Sequence, residues 1–232
     1  MFKVTRYGLT IVIIATIAAV TWCAGVLLLL RGLLPWWALA ALVAPDLVIY
    51  FWVLWFFRDP ERDTPQAPGL FISPADGRIA DITNIGTDSE LGRDGVRIGI
   101  FMNIFNVHLS RCPVNAVVES VDHKPGLFLD VRDPHASERN ESTTIRLKYQ
   151  HQGAEYPIVV RQIAGLVARR IVTDLSEGQS VTCGQRIGMI KFGSRLELLV
   201  PTELVSEVCV QVGQVSRGAE TVLIESAQGG AQ

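Results

Sequence analysis

Charged residues almost vanish between positions 8 and 57 and return abruptly after them. Residues 8–30 are 23 consecutive positions without a charge, most of them Ile, Val, Leu or Ala. A helix needs about 20 such residues to cross a bilayer core. Arg31 and Gly32 interrupt the run, and a second apolar stretch follows over 33–57, whose only charge is Asp46. Trp36, Trp37, Trp52 and Trp55 stand toward its two ends, where interfacial aromatic belts form. The pattern stops at Arg58-Asp59-Pro60-Glu61-Arg62-Asp63. Neither run carries an amphipathic stripe. The pattern therefore predicts two membrane helices with a short turn at Arg31-Gly32, a membrane-anchor domain over 1–57. Lys3 and Arg6 precede the first helix, and Arg58 and Arg62 follow the second. The positive-inside rule places both ends, and the rest of the chain, on the cytoplasmic side of the cell (inner) membrane. A cleaved signal peptide is the weaker alternative, because its apolar region spans 7–15 residues and no second run should follow. A buried helical hairpin in a soluble protein is another. Asp46 sits beside Pro45, so it serves function or bonds backbone groups freed by the proline.

The remaining residues, 58–232, change period. Residues 96–101 alternate and then turn fully apolar, 116–121 are rich in β-branched residues, and 143–149 alternate with period two. A His151-Gln152-Gly153 turn joins that last run to 156–163, making a hairpin. Further strands are predicted at 186–190, 195–200, 207–212 and 221–225, with glycines between or beside them. One short helix is expected around 165–173, and the tail from Gln228 is expected to fray. Many short strands with turn signals indicate a mainly β fold, a sandwich or barrel-like cytoplasmic domain behind an N-terminal two-helix membrane hairpin.

Composition sharpens this. The chain has 232 residues, 49% hydrophobic and 19% charged, and a mean hydropathy of +0.30. About 25% charge is usual for soluble domains, and the deficit is confined to 8–57. The formal net charge of −2 leaves no basic excess for a nucleic-acid backbone. Cys23, Cys112, Cys183 and Cys209 show no CxxC and no metal spacing, so no metal site is expected and the thiols read as reduced.

The candidate chemistry rests on three residues far apart in sequence. Asp76 lies in Ser73-Pro74-Ala75-Asp76-Gly77, first of all a turn signal. His108, one of four histidines with His123, His135 and His151, follows a strand in an apolar stretch, where a structural role competes with a catalytic one. Ser194 follows Gly193. An Asp, a His and a Ser can converge in space on unrelated folds. The G-x-S-x-G elbow is absent, because Arg195 and Leu196 follow the serine, which disfavours that type of hydrolase. A glycine carbonyl unshielded by a side chain suits attack by the next residue's own hydroxyl.

Six stretches carry a resemblance. They are Ser73-Pro74-Ala75-Asp76-Gly77, the run Phe105-Asn106-Val107-His108-Leu109-Ser110-Arg111-Cys112-Pro113, Lys124-Pro125-Gly126-Leu127-Phe128, and Ala136-Ser137-Glu138-Arg139-Asn140-Glu141. Gln162-Ile163-Ala164-Gly165 with Ala168-Arg169-Arg170-Ile171, and residues 186–195 ending in Lys191-Phe192-Gly193-Ser194-Arg195, complete the set. In this order and spacing the chain resembles the phosphatidylserine decarboxylases, in the short membrane-anchored form of that proenzyme family.

The resemblance implies self-cleavage between Gly193 and Ser194. Ser194 Oγ attacks the Gly193 carbonyl, and elimination with loss of ammonia turns Ser194 into a pyruvoyl cofactor. That group then forms a Schiff base with the serine amine of phosphatidylserine and takes up the electrons left by CO2, yielding phosphatidylethanolamine. His108 and Asp76 occupy the family's His and Asp positions, and His108 is the expected general acid and base. Many longer members carry a second His, assigned to self-cleavage, where this chain has Arg111, and arginine stays protonated. Either His108 covers both steps, or maturation relies on strain and an oxyanion site. Arg111 is expected to hold a substrate phosphate or carboxylate, or to form an ordinary salt bridge. Phe105, with Phe128, is expected to supply an apolar surround for the substrate. Arg58, Arg62 and Arg78 could meet anionic lipid, though the positive-inside rule already accounts for the first two.

The implied partners are the phospholipid substrate, the membrane and the two chains of the cleaved proenzyme, with no nucleic acid. A homodimer is expected on general grounds. Two other readings stand beside this one: the same chemistry on an ether-type serine phospholipid or a soluble amino acid, and a non-catalytic membrane-tethered β adaptor in which Gly193-Ser194 is a strand-edge dipeptide.

Overall fold

The structure, a computed structural model, describes residues 3–87, 89–130, 133, 136–166, 170–191 and 193–226. It divides into two compact units, Met1–Pro60 and Glu61–Gln232.

In the first unit, α1 (Leu9–Leu30) and α2 (Trp36–Phe56) are joined by the turn over 31–35, where Pro35 caps α2 with an extended backbone. Both helices are long and apolar enough to cross a membrane. They run antiparallel: Thr16 Oγ1 donates to the Tyr50 hydroxyl at 3.3 Å and Trp22 Nε1 to the Leu42 carbonyl at 3.1 Å. Pro45 does not break α2. Asp46 receives the Cys23 thiol at 3.9 Å, so the acid faces the neighbouring helix. The Thr5 N–H donates to the Phe57 carbonyl at 2.9 Å and the Asp59 N–H to the Lys3 carbonyl at 2.8 Å, so both ends of the hairpin meet.

The second unit is mainly β, as the pattern predicts. In chain order its strands are β1 (Leu70–Ile72), β2 (Gly77–Ile85), β3 (Gly95–Met102), β4 (Leu109–Arg111) and β5 (Ala116–Lys124). The short helix α3 (Ala136–Arg139) precedes β6 (Ser142–His151), β7 (Ala154–Ala164), β8 (Arg170–Val172), β9 (Ser180–Val181) and β10 (Arg186–Lys191). Then come β11 (Ser194–Pro201), β12 (Val205–Val208), β13 (Val215–Ser216) and β14 (Val222–Ser226). Among the described residues they form an eight-stranded sheet, β13-β2-β3-β11-β7-β6-β5-β9, and two three-stranded sheets, β4-β10-β8 and β1-β14-β12.

Period-two alternation explains the layering. Ile98 and Ile100, Leu196 and Leu198, Ile158 and Val160, and Ile145 and Leu147 are all fully buried on one face of the large sheet. They share one core with Phe71, Ile187, Leu223 and Ile224 from the smaller sheets. The intervening positions Arg97, Gly99, Arg161, Arg195 and Glu197 lie on the other face.

Two expectations are corrected. The helix predicted near 165–173 is replaced, over its described part, by β8, where Ile171 and Val172 favour a strand and pair with β10. The strand predicted over 207–212 is β12, shifted earlier, because residues 211–214 close a turn through the Gln214 N–H and the Gln211 carbonyl at 3.1 Å. Val167, Ala168 and Arg169, with His135, Phe192 and the tail from Gln228, lie outside the described residues.

Candidate active site

Ser194 opens β11, where it pairs with Met102 on one side and Ala164 on the other. Those residues end β3 and β7, so this rung is the end of the large sheet. Arg78 pairs with Phe101, which pairs in turn with Arg195. Asp76 and Gly193 each lie two residues outward from that rung. They precede the two strands, β2 and β11, that flank β3 at this end. The chain leaving β3 turns through 103–106 and returns as His108 and β4. Thus Asp76, His108, Gly193, Ser194 and Phe105, scattered over the sequence, gather at one end of one sheet.

Gly193 has φ of +57° with open space where a side chain would project. Its glycine is required by the left-handed backbone and not by crowding. Ser194 is fully buried, and its Oγ donates to Met102 Sδ at 3.4 Å, on the core side of the sheet. His108, also fully buried, accepts the Gly193 N–H at Nε2, at 3.2 Å. An accepting Nε2 carries no proton, so Nδ1 holds it and donates to the Asn106 carbonyl at 3.0 Å. The geometry therefore defines a neutral imidazole whose unprotonated nitrogen faces the Gly193-Ser194 junction.

The Asp76 carboxylate accepts the Gly218 N–H at one oxygen and pairs with the Arg62 guanidinium at the other, each at 2.8 Å. Arg62 also reaches Glu220 at 3.3 Å. This nearly buried Arg62 thus bridges two carboxylates of the β domain. Arg111 lies three residues beyond His108 on β4, buried, and donates to the Gly184 carbonyl at 3.1 Å. Gly184 precedes β10 whereas Gly193 follows it, so this bond anchors the start of the strand that leads to the junction. Phe105 is exposed. Phe128 instead packs on Ala164, Ile171 and Ile190, a small apolar cluster beside Ser194.

A cavity of about 790 Å³ opens on the other face of the sheet, lined by Asp81, Glu90, Arg97, Arg161, Arg195 and Glu197 among others. The sheet itself separates it from Ser194 Oγ, so it is not the candidate site.

Comparison with known proteins bears on this arrangement. The family described as phosphatidylserine decarboxylase matches residues 49–224. The chain belongs to the phosphatidylserine decarboxylase family. The match takes in the end of α2 and nearly all of the β domain, including every candidate residue. The phosphatidylserine decarboxylase proenzyme of Azorhizobium caulinodans is 44% identical over 177 residues, covering 75% of this chain and 73% of that one. The proenzyme of the same name from Paramagnetospirillum magneticum is 42% identical over 186 residues, covering 78% and 75%.

Several residues that support the site in this decarboxylase-family chain were not singled out by sequence reasoning. Asn106 sets the His108 tautomer through its carbonyl, which no sequence signal reveals. Asn140 is fully buried and donates to the Ala164 and Leu129 carbonyls, both at 2.8 Å, tying the end of β7 to the segment over 127–129. Gln162 donates to Ser110 Oγ at 2.8 Å and links the large sheet to β4, two residues from both Ala164 and His108. Asn140 and Gln162 sit in the quoted stretches, and a polar residue within an apolar strand is the signal that could have found Gln162.

Proposed function

We propose that this chain is a precursor that cleaves itself between Gly193 and Ser194 and then decarboxylates phosphatidylserine to phosphatidylethanolamine and CO2. The observation that carries the reading is the His108 Nε2 contact with the Gly193 N–H, 3.2 Å, at a glycine-serine junction in a chain of this family.

Ser194 Oγ is a weak nucleophile and needs a base. Rotation about χ1 takes it from Met102 Sδ toward the Gly193 carbonyl carbon. His108 Nε2 exchanges the amide N–H for the hydroxyl proton and returns that proton to the departing Ser194 nitrogen. The Oγ–carbon bond forms as the Gly193–Ser194 peptide bond breaks, leaving an ester. Loss of the Ser194 α-proton then expels Gly193 as a carboxylate, and water releases ammonia. Asp76, at the same end of the sheet, supplies negative charge that favours the imidazolium.

The residues fit the resulting pyruvoyl group. Position 194 is held by strand partners on both sides, and Ala164, Ile171, Ile190 and Phe128 keep its surroundings apolar. Such a group supplies a carbonyl that takes the substrate amine and the electron pair freed when CO2 leaves. His108 holds the proton that the substrate carbon then needs. Residues 1–57 act as the membrane anchor, with 58–232 as the cytoplasmic catalytic domain on the inner membrane, and the substrate lies in that bilayer.

Intact-mass measurement of the purified chain tests the reading. The expected result is two chains, 1–193 and 194–232, the second blocked at its N-terminus. Ser194→Ala should remain a single chain without CO2 release. A full-length wild-type species that still releases CO2 from phosphatidylserine rules the mechanism out.

A further inference from the structure

The rung Met102–Ser194–Ala164 ends the sheet, but two of its strands continue outward into exposed apolar side chains. Beyond Met102 come Ile104 and Phe105, 38% and 62% exposed, and beyond Ala164 comes Leu166, 63% exposed. The first pair is held out by an ordered turn. Asn103 Oδ1 accepts the Phe105 N–H and Asn106 Oδ1 accepts the Asn103 N–H, both at 2.9 Å. Single exposed apolar residues are ordinary, whereas several gathered at one tip mark a contact surface.

Charge identifies the occupant. Lys191, two residues before Gly193, pairs directly with Arg170 on β8. Like charges opposite each other across strands repel. Burial first, and then Arg170, hold the Lys191 ammonium below its ordinary range. Apolar side chains flanked by cations match the interface of a bilayer carrying anionic headgroups.

We propose that Ile104, Phe105 and Leu166 dip into the interfacial layer of an anionic bilayer, with Arg170 and Lys191 beside them meeting lipid phosphates. This rests on the reading of the chain as a lipid decarboxylase and adds to it a route to the site. The rim of the candidate site enters the lipid, so a headgroup need not leave the bilayer to reach position 194.

The test uses the full chain in nanodiscs of phosphatidylserine and a phosphatidylcholine bearing a photoactivatable diazirine near its glycerol. After photolysis, peptides covering 103–107 and Leu166 should carry lipid adducts, while the hairpin at 150–153, at the opposite end of β6, should not. Adducts absent from the tip, or a tip cross-linked to a second copy of the chain, overturn the proposal whether or not the protein releases CO2. Kinetics give the second measurement. In Ile104→Asp and Leu166→Asp, the ratio of turnover on vesicle phosphatidylserine to turnover on monomeric short-chain phosphatidylserine should fall about tenfold, the scale of one lost apolar contact. An unchanged ratio overturns the proposal. A wild type inactive on both forms defeats the decarboxylase reading instead, and the adduct pattern still decides the tip.

Discussion

Arg195 reaches across β3 to grip Asp81 with two nitrogens, Nη1 to Oδ2 at 2.6 Å and Nη2 to Oδ1 at 2.9 Å. Its Nε donates to the fully buried Glu197 at 2.8 Å. Burial alone lowers the affinity of this guanidinium for its proton, but the bonds and charges of Asp81 and Glu197 outweigh that and hold it above its ordinary range. The crossing is open because Gly99 lies beneath it; a Cβ there would come within 2.1 Å of Arg195 Nη2. Arg195 directly follows Ser194. In the proposed cleaved form, whose second chain starts at 194, this fork would hold the first residues of β11 in place.

Arg195→Leu should therefore destabilise the protein by about 2–3 kcal/mol, the scale of a lost charged hydrogen bond with its partner left buried. Gly99→Ala should act in the same direction by displacing the guanidinium. Thermal melts of cleaved and uncleaved protein check this, and the loss should be larger in the cleaved form. Equal melting shifts in both forms would contradict the proposed role at the new terminus.

His108→Ala should slow self-cleavage by about 100-fold or more, the contribution of a positioned general base. The time course of chain splitting by intact mass measures it. Splitting at the wild-type rate would remove His108 from the mechanism.

Gly193→Ala places a side chain in open space but on a left-handed backbone, at a cost of about 1–2 kcal/mol. The variant should fold, and its cleavage should change in rate because the junction must shift relative to His108. A wild-type rate would show that the left-handed geometry is dispensable.

Burial pushes the Cys112 thiol up to about 12 and the Cys183 thiol to about 11, from an ordinary 9.0. Between those values the folded protein keeps protons that the unfolded chain releases. The two thiols thus support folding fully below pH 9 and lose that contribution as pH rises toward 12. Alkylation of Cys112 in the folded protein should stay slow up to pH 11, and melting temperature should fall between pH 9 and 11 less steeply in Cys112→Ala. Rapid labelling at pH 8 would refute the assignment.

The elements with a strong period were legible in the sequence. The two apolar runs became α1 and α2, and the alternation of Val96-Arg97-Ile98-Gly99-Ile100 appeared as β3 with its isoleucines inward. β2 was hidden because an Asp-Gly turn signal opens it and polar residues interrupt it. β8 differs from the helix expected there because a three-residue strand carries too little pattern to separate strand from helix.

The candidate site divides the same way. Sequence alone, through local patterning and the order of short motifs, determined the apolar hairpin, the mainly β class, and Asp76, His108 and Ser194 as the residues to examine. Only the tertiary structure decided that His108 turns its unprotonated nitrogen to Gly193, that Arg62 holds Asp76, and that Arg195 spans Gly99 to Asp81. Those relations depend on strand register and on backbone carbonyls brought together from distant positions. Side-chain identity along the chain encodes periodicity directly, but it encodes such contacts only through the fold as a whole.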